Sequence, residues 1–113
     1  MTSFVKSVTF DCAAPLEVAV FWAAALGSNV DEDSTEERAW VEPSGWGGPT
    51  LWFQRVPEEK VVKNRQHFDL RVMGDLGTER DRLVRLGASV LVEEHRGLVV
   101  MADPEGNEFC LET

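Results

Sequence analysis

At 113 residues the chain has room for one domain and not for two independent cores. Hydrophobic residues make up 43% and charged residues 27%, the balance of a folded globular protein, which excludes a disordered chain, a collagen repeat or a supercharged tail. Eleven basic residues against twenty acidic ones give a net charge of −9, which argues against a nucleic-acid partner, since that would need a clustered basic face. A chain of this size hides roughly 65% of its unfolded surface, enough for a core without metal or disulfide staples. Two cysteines make no disulfide framework, and the N-terminus shows no charged segment followed by a long apolar run. The longest uncharged apolar run, Val18 to Leu26, is nine residues, far short of the roughly 20 that span a bilayer. The expectation is a cytoplasmic protein with no membrane partner.

Taken in chain order, residues 4–12 alternate with the period of a half-buried strand (Phe4, Val5, Val8, Phe10, Cys12). Pro15 fits a first helical position, the apolar run Leu16 to Leu26 follows, and Gly27 supplies a left-handed stop, so a helix is predicted there. A short β-like piece near Val30 comes next, then a strand over Glu37 to Glu42, the turn Pro43-Ser44-Gly45 extended by Trp46 to Pro49, and a strand over Thr50 to Val56. After the charged connector Pro57 to Arg65 the plan repeats. His67 to Val72 alternates as a strand, and Leu76 to Leu86 carries a helical stripe ended by Gly87.

The repeat has a constant offset. Leu16 and Leu76, Leu26 and Leu86, Gly27 and Gly87, and Val30 and Val90 are each 60 positions apart. Glu42-Pro43-Ser44-Gly45 and Asp103-Pro104-Glu105-Gly106 are related by 61, each placed as a turn between two strands with Pro at its second position. Internal duplication follows. The predicted fold is α+β, one domain over residues 1–113, built from two pseudo-symmetric strand-helix-three-strand modules (βαβββ) covering about 1–57 and 66–113.

Alternation fixes the faces of the sheets. The apolar face carries Val8, Phe10, Leu51, Phe53, Phe68, Leu70, Phe109 and Leu111. The other face carries Ser7 and Asp11, Trp52 and Gln54, His67, Asp69 and Arg71, and Glu108, Cys110 and Glu112, with Trp40 joining if its strand keeps register. A solvated surface would waste large aromatics on water, whereas a curved sheet uses them to line a ligand cup. The candidate ligand-binding residues are therefore Ser7, Asp11, Trp40, Trp52, Gln54, His67, Asp69, Arg71 and Cys110. Arg71 could clamp a carboxylate while Asp69 orients the ligand or His67, the alternative being an ion pair within the sheet. His95, in Glu94-His95-Arg96-Gly97, reads as a turn residue without a special role.

The paired modules and the closing string Asp103-Pro104-Glu105-Gly106-Asn107-Glu108-Phe109-Cys110-Leu111 resemble the vicinal oxygen chelate (VOC) superfamily over essentially the whole chain. Phe53-Gln54-Arg55-Val56-Pro57 and Lys63-Asn64-Arg65-Gln66-His67-Phe68-Asp69-Leu70 look like the small bacterial glyoxalase-like domains grouped with bleomycin resistance proteins. The resemblance implies a half-open cup, a homodimer, a small-molecule ligand and, in many members, a divalent metal held by residues of strands one, four, five and eight. Of those positions His67 matches. Strand one offers Ser7, strand eight offers Cys110 and strand four offers Trp52 and Gln54, so the usual metal set is incomplete. Candidate metal ligands are His67 with Gln54, Glu108 or Glu112. His67 and Cys110 are the candidate catalytic pair, as thiolate nucleophile or acid and base. The expected function is binding of a small molecule in the cup without the complete metal site. The alternatives are a metal-dependent lyase, isomerase or dioxygenase, and sequestration of a bleomycin-type antibiotic, for which the acidic charge and tryptophans suit a cationic aromatic ligand. Lactoylglutathione lyase activity is not expected, given Ser7 and Cys110.

Overall fold

The structure, a computed structural model, describes residues 2–43, 47–93 and 96–113. Its contacts divide the chain into two compact units, Met1–Glu59 and Lys60–Thr113. Each unit is a mixed sheet with one helix, so the fold is α+β as expected.

The first unit runs β1 (Ser7–Cys12), α1 (Pro15–Leu26), β2 (Arg38–Val41) and β3 (Thr50–Arg55), with sheet order β1-β3-β2. β1 pairs with β3 in parallel and β2 pairs with β3 antiparallel. α1 begins with Pro15 at a position where the missing amide hydrogen costs nothing, and it ends at Gly27, whose φ of 69° is the left-handed region that favours glycine. Val18, Ala19, Phe21, Trp22 and Ala23 are buried, against a sheet face made by Ala39, Val41, Leu51 and Phe53, none of which is exposed. Phe10 joins them, with ring centroids 5.0 Å from Phe53 and 5.9 Å from Trp22. Aromatic burial of this kind dominates the energetics of a small core.

The second unit runs β4 (Phe68–Arg71), α2 (Leu76–Leu86), β5 (Ser89–Val92), β6 (Leu98–Ala102) and β7 (Glu108–Glu112), in sheet order β4-β7-β6-β5. β4 and β7 are parallel; β6 is antiparallel to both β5 and β7. α2 is capped by Asp75, whose carboxylate accepts hydrogen bonds from the Thr78 amide at 2.8 Å and the Thr78 hydroxyl at 2.9 Å. Leu76 and Leu83 are buried, as are Val99, Met101, Phe109 and Leu111.

Beyond one-residue shifts at strand ends, among them His67 just before β4, the strands depart from the sequence reading in two places. Phe4 and Val5 lie outside β1 and are 85% and 69% exposed, because the ladder with β3 opens at Ser7 opposite Thr50 and leaves residues 4–6 without a partner strand among the described residues. The piece near Val30 is a single bridge to Val41 and not a strand, so the described residues form seven strands and not eight. The reason is local. The Asp31 side chain accepts from the Asp33 amide at 2.9 Å and the Ser34 amide bonds the Asp31 carbonyl at 3.1 Å, a turn that takes the chain out of the ladder. The Ser44-Gly45-Trp46 part of the first turn, and His95, lie outside the described residues.

The connector between the modules is tied to the second unit from Lys60 onward. The Lys60 ammonium pairs with the Glu108 carboxylate at 3.0 Å, the Asn64 amide donates to the same carboxylate at 3.1 Å, and the Asn64 side chain donates to Asn107 Oδ1 at 2.9 Å.

Candidate functional site

On the first sheet, the residues opposite the helix are Ser7, Asp11, Trp40, Trp52 and Gln54, as alternation requires. Trp40 keeps register: it stands opposite Trp52 across the β2–β3 ladder, and the two half-buried indoles stack with centroids 4.6 Å apart and planes at 27°. Asp11 and Gln54 are neighbours across the parallel β1–β3 pairing, and the Gln54 amide nitrogen donates to Asp11 Oδ1 at 2.8 Å. Ser7 is half-buried at the start of β1.

On the second sheet, β4 and β7 place Asp69 opposite Cys110 and Arg71 opposite Glu112, while Phe68 and Leu70 turn to the apolar side with Phe109 and Leu111. His67 precedes β4 by one residue, and its Nδ1 lies 3.1 Å from Asp69 Oδ1, both side chains being open to solvent. Asp69 is thus in contact with His67. Burial pushes the Cys110 thiol pKa up, and the Asp69 carboxylate beside it, which accepts the thiol hydrogen, pushes it the same way. A thiol held protonated is a poor nucleophile, which counts against the thiolate form of the His67–Cys110 pair in the metal-free protein.

His67, Asp69 and Cys110 each offer one metal-binding atom, and these three atoms lie within 4.8 Å of one another. Of the four-strand ligand set implied by the family resemblance, Ser7 and Trp52 are poor metal donors, and Gln54 uses its side-chain nitrogen to bond Asp11. Glu108, a candidate ligand, is bonded to Lys60 and Asn64. Burial opposes its ionisation, but the hydrogen bonds from the Asn64 amide, its own amide and Lys60 outweigh this and hold its carboxyl below the ordinary value. Glu112 stands beside Arg71 in register and is not a member of the three-residue group. Asp69 is the member of this group that the sequence reading does not name as a candidate metal ligand, although its position two residues after His67 on one strand face is a signal for it.

The closing motif has an architectural job. Asp103 is 3% exposed and accepts from the amides of Glu105 and Asn107, both at 2.9 Å, and from the Asn107 side chain at 3.0 Å. Gly106 completes the turn at φ +85°, where a side chain would be strained.

A glyoxalase-like domain family profile matches residues 7–112. Among curated proteins the sequence has no match. Solved structures share the fold at low identity. A mutant of the genomically encoded fosfomycin resistance protein FosX from Listeria monocytogenes, complexed with Mn(II) and a dihydroxypropylphosphonic acid, is 14% identical with a TM-score of 0.75, covering 99% of this chain and 90% of that one. A possible glyoxalase from Bacillus cereus is 15% identical with a TM-score of 0.73, covering 99% and 100%. A glyoxalase/bleomycin resistance protein/dioxygenase family enzyme from Burkholderia phytofirmans is 17% identical with a TM-score of 0.69, covering 96% and 97%. With its duplicated modules and a profile match from β1 to β7, the chain belongs to the glyoxalase-like domain family of the VOC superfamily.

Proposed function

We propose that this glyoxalase-like domain binds a small organic ligand, aromatic and cationic, on the helix-free face of its first sheet. The observation that carries the reading is the Trp40–Trp52 stack, two large indoles held half-buried on the face that α1 does not cover. Indole faces attract cations and flat rings, and a net charge of −9 draws cations toward the protein. Sequestration of a bleomycin-type antibiotic is one form this binding could take, and a homodimer is the assembly the family resemblance suggests. The test is titration with a flat cationic dye such as proflavine, followed by quenching of tryptophan emission. Saturable quenching is expected, weakened about tenfold or more in Trp52→Leu, as loss of a cation–π and stacking contact of about 1.4 kcal/mol or more requires. Equal affinity in wild type, Trp40→Leu and Trp52→Leu overturns the reading.

A second reading, metal-dependent chemistry of the lyase or oxygenase kind, is favoured by one observation: the convergence of His67, Asp69 and Cys110. A divalent cation there would rest on the second unit alone. The Mn(II) in the Listeria FosX complex lends the reading a precedent within the fold.

A further inference from the structure

We infer that the His67–Asp69–Cys110 group is a thiolate-bearing site that selects zinc-class cations over manganese and magnesium. The inference rests on the metal reading above and deepens it by naming the class of metal.

The three donors come from one pair of parallel strands and the residue before them. Asp69 and Cys110 are register partners across β4 and β7, and His67 reaches Asp69 at 3.1 Å. In a tetrahedral zinc site, with metal–nitrogen and metal–oxygen bonds near 2.1 Å and a metal–sulfur bond near 2.3 Å, donors stand roughly 3.3 to 3.6 Å apart. The His67–Asp69 contact is already near that span, and the remaining separations, all within 4.8 Å, exceed it by little more than about 1 Å. His67 and Asp69 are open to solvent, so rotation meets no core packing.

Donor chemistry then decides the metal. Imidazole nitrogen, carboxylate oxygen and thiolate sulfur form a set that zinc accepts, as does cobalt as its spectroscopic substitute. Magnesium and manganese prefer carboxylate, carbonyl and water oxygens, and a thiolate in a set of three disfavours both. Glu108, the oxygen donor that would shift the balance toward manganese, is held by Lys60 and Asn64. Three protein ligands leave a fourth position for solvent or a ligand oxygen, the pattern of open zinc sites.

The test is titration of the metal-free full chain, kept reduced, with Co(II), Zn(II) and Mn(II). One equivalent of Co(II) per chain is expected, with tetrahedral visible bands and a sulfur-to-cobalt charge-transfer band in the near ultraviolet, both bleached by one equivalent of Zn(II). Cys110→Ser removes the charge-transfer band, and His67→Gln and Asp69→Asn each weaken binding about tenfold or more. Circular dichroism establishes that each variant is folded; if Cys110→Ser is not, the wild-type charge-transfer band and the Asp69→Asn affinity decide. Mn(II) that competes on equal terms with Zn(II), or Co(II) bound without the sulfur band, overturns the selectivity and leaves the cation reading standing. No stoichiometric binding of any of the three overturns both.

Discussion

Trp40 and Trp52 are direct cross-strand partners, and their rings, inclined by 27°, overlap as an offset stack and not as an edge-on pair. Two indoles this close couple their electronic transitions. The far-ultraviolet circular dichroism spectrum is expected to show an exciton couplet that either Trp40→Leu or Trp52→Leu alone abolishes. Each replacement should cost about 1 kcal/mol, the scale of one cross-strand aromatic pair. A couplet that survives both substitutions places its origin elsewhere.

Replacing the turn carboxylate is expected to be costlier than replacing a tryptophan. Asp103→Ala leaves the amides of Glu105 and Asn107 without their acceptor at a buried site. The loss is about 2 to 4 kcal/mol, a large part of the about 5 to 15 kcal/mol that holds a small domain together. Urea unfolding should show a lower midpoint with unchanged slope, and Asp103→Asn, which keeps an oxygen acceptor, should recover part of it. An Asp103→Ala midpoint equal to wild type would mean that the turn holds without its carboxylate.

The helix cap makes stability depend on acid. The hydrogen bonds from the Thr78 amide and hydroxyl hold the Asp75 carboxyl below its ordinary value of 3.8. A depressed folded value means the stabilisation is present above the unfolded pKa of about 3.9 and is lost as pH falls through the lower folded value. Asp75→Ala should therefore melt earlier than wild type at neutral pH, and the gap should narrow on acidification below the ordinary carboxylate range. Thermal unfolding of the two proteins across that range checks this; a gap independent of pH removes the charge from the explanation.

The helices were legible because their signals are local. Pro15 and Gly27 bracket an apolar run, Gly87 follows a helical stripe, and the structure ends α1 and α2 at Leu26 and Leu86 as read. Alternation likewise separated Trp52 from Leu51 and Phe53 without knowledge of any partner strand. Where a feature depends on contacts distant in sequence, the reading thinned. Phe4 and Val5 belong to a strand-like pattern but join no ladder among the described residues. Glu108 looks like a free carboxylate until Lys60, 48 positions earlier, is seen against it. The His67–Asp69 contact was readable from spacing, whereas the place of Cys110 beside Asp69 needed the β4–β7 register.

Both units close in the same way, by a parallel pairing of first strand with last: Ser7 meets Thr50 and Phe68 meets Phe109. Those partners are 43 and 41 residues apart, so each closure pays the loop entropy of most of its unit, while the antiparallel partners lie closer in the chain. Folding order follows from this. By loop entropy the β2–β3 and β6–β7 hairpins are expected to assemble early, and β1 and β4, each held within its own sheet by one neighbour, to lock in last. His67 and Asp69 are therefore expected to meet Cys110 late in the assembly of their unit, so that a chain stalled before that step would carry every residue of the group without bringing them together.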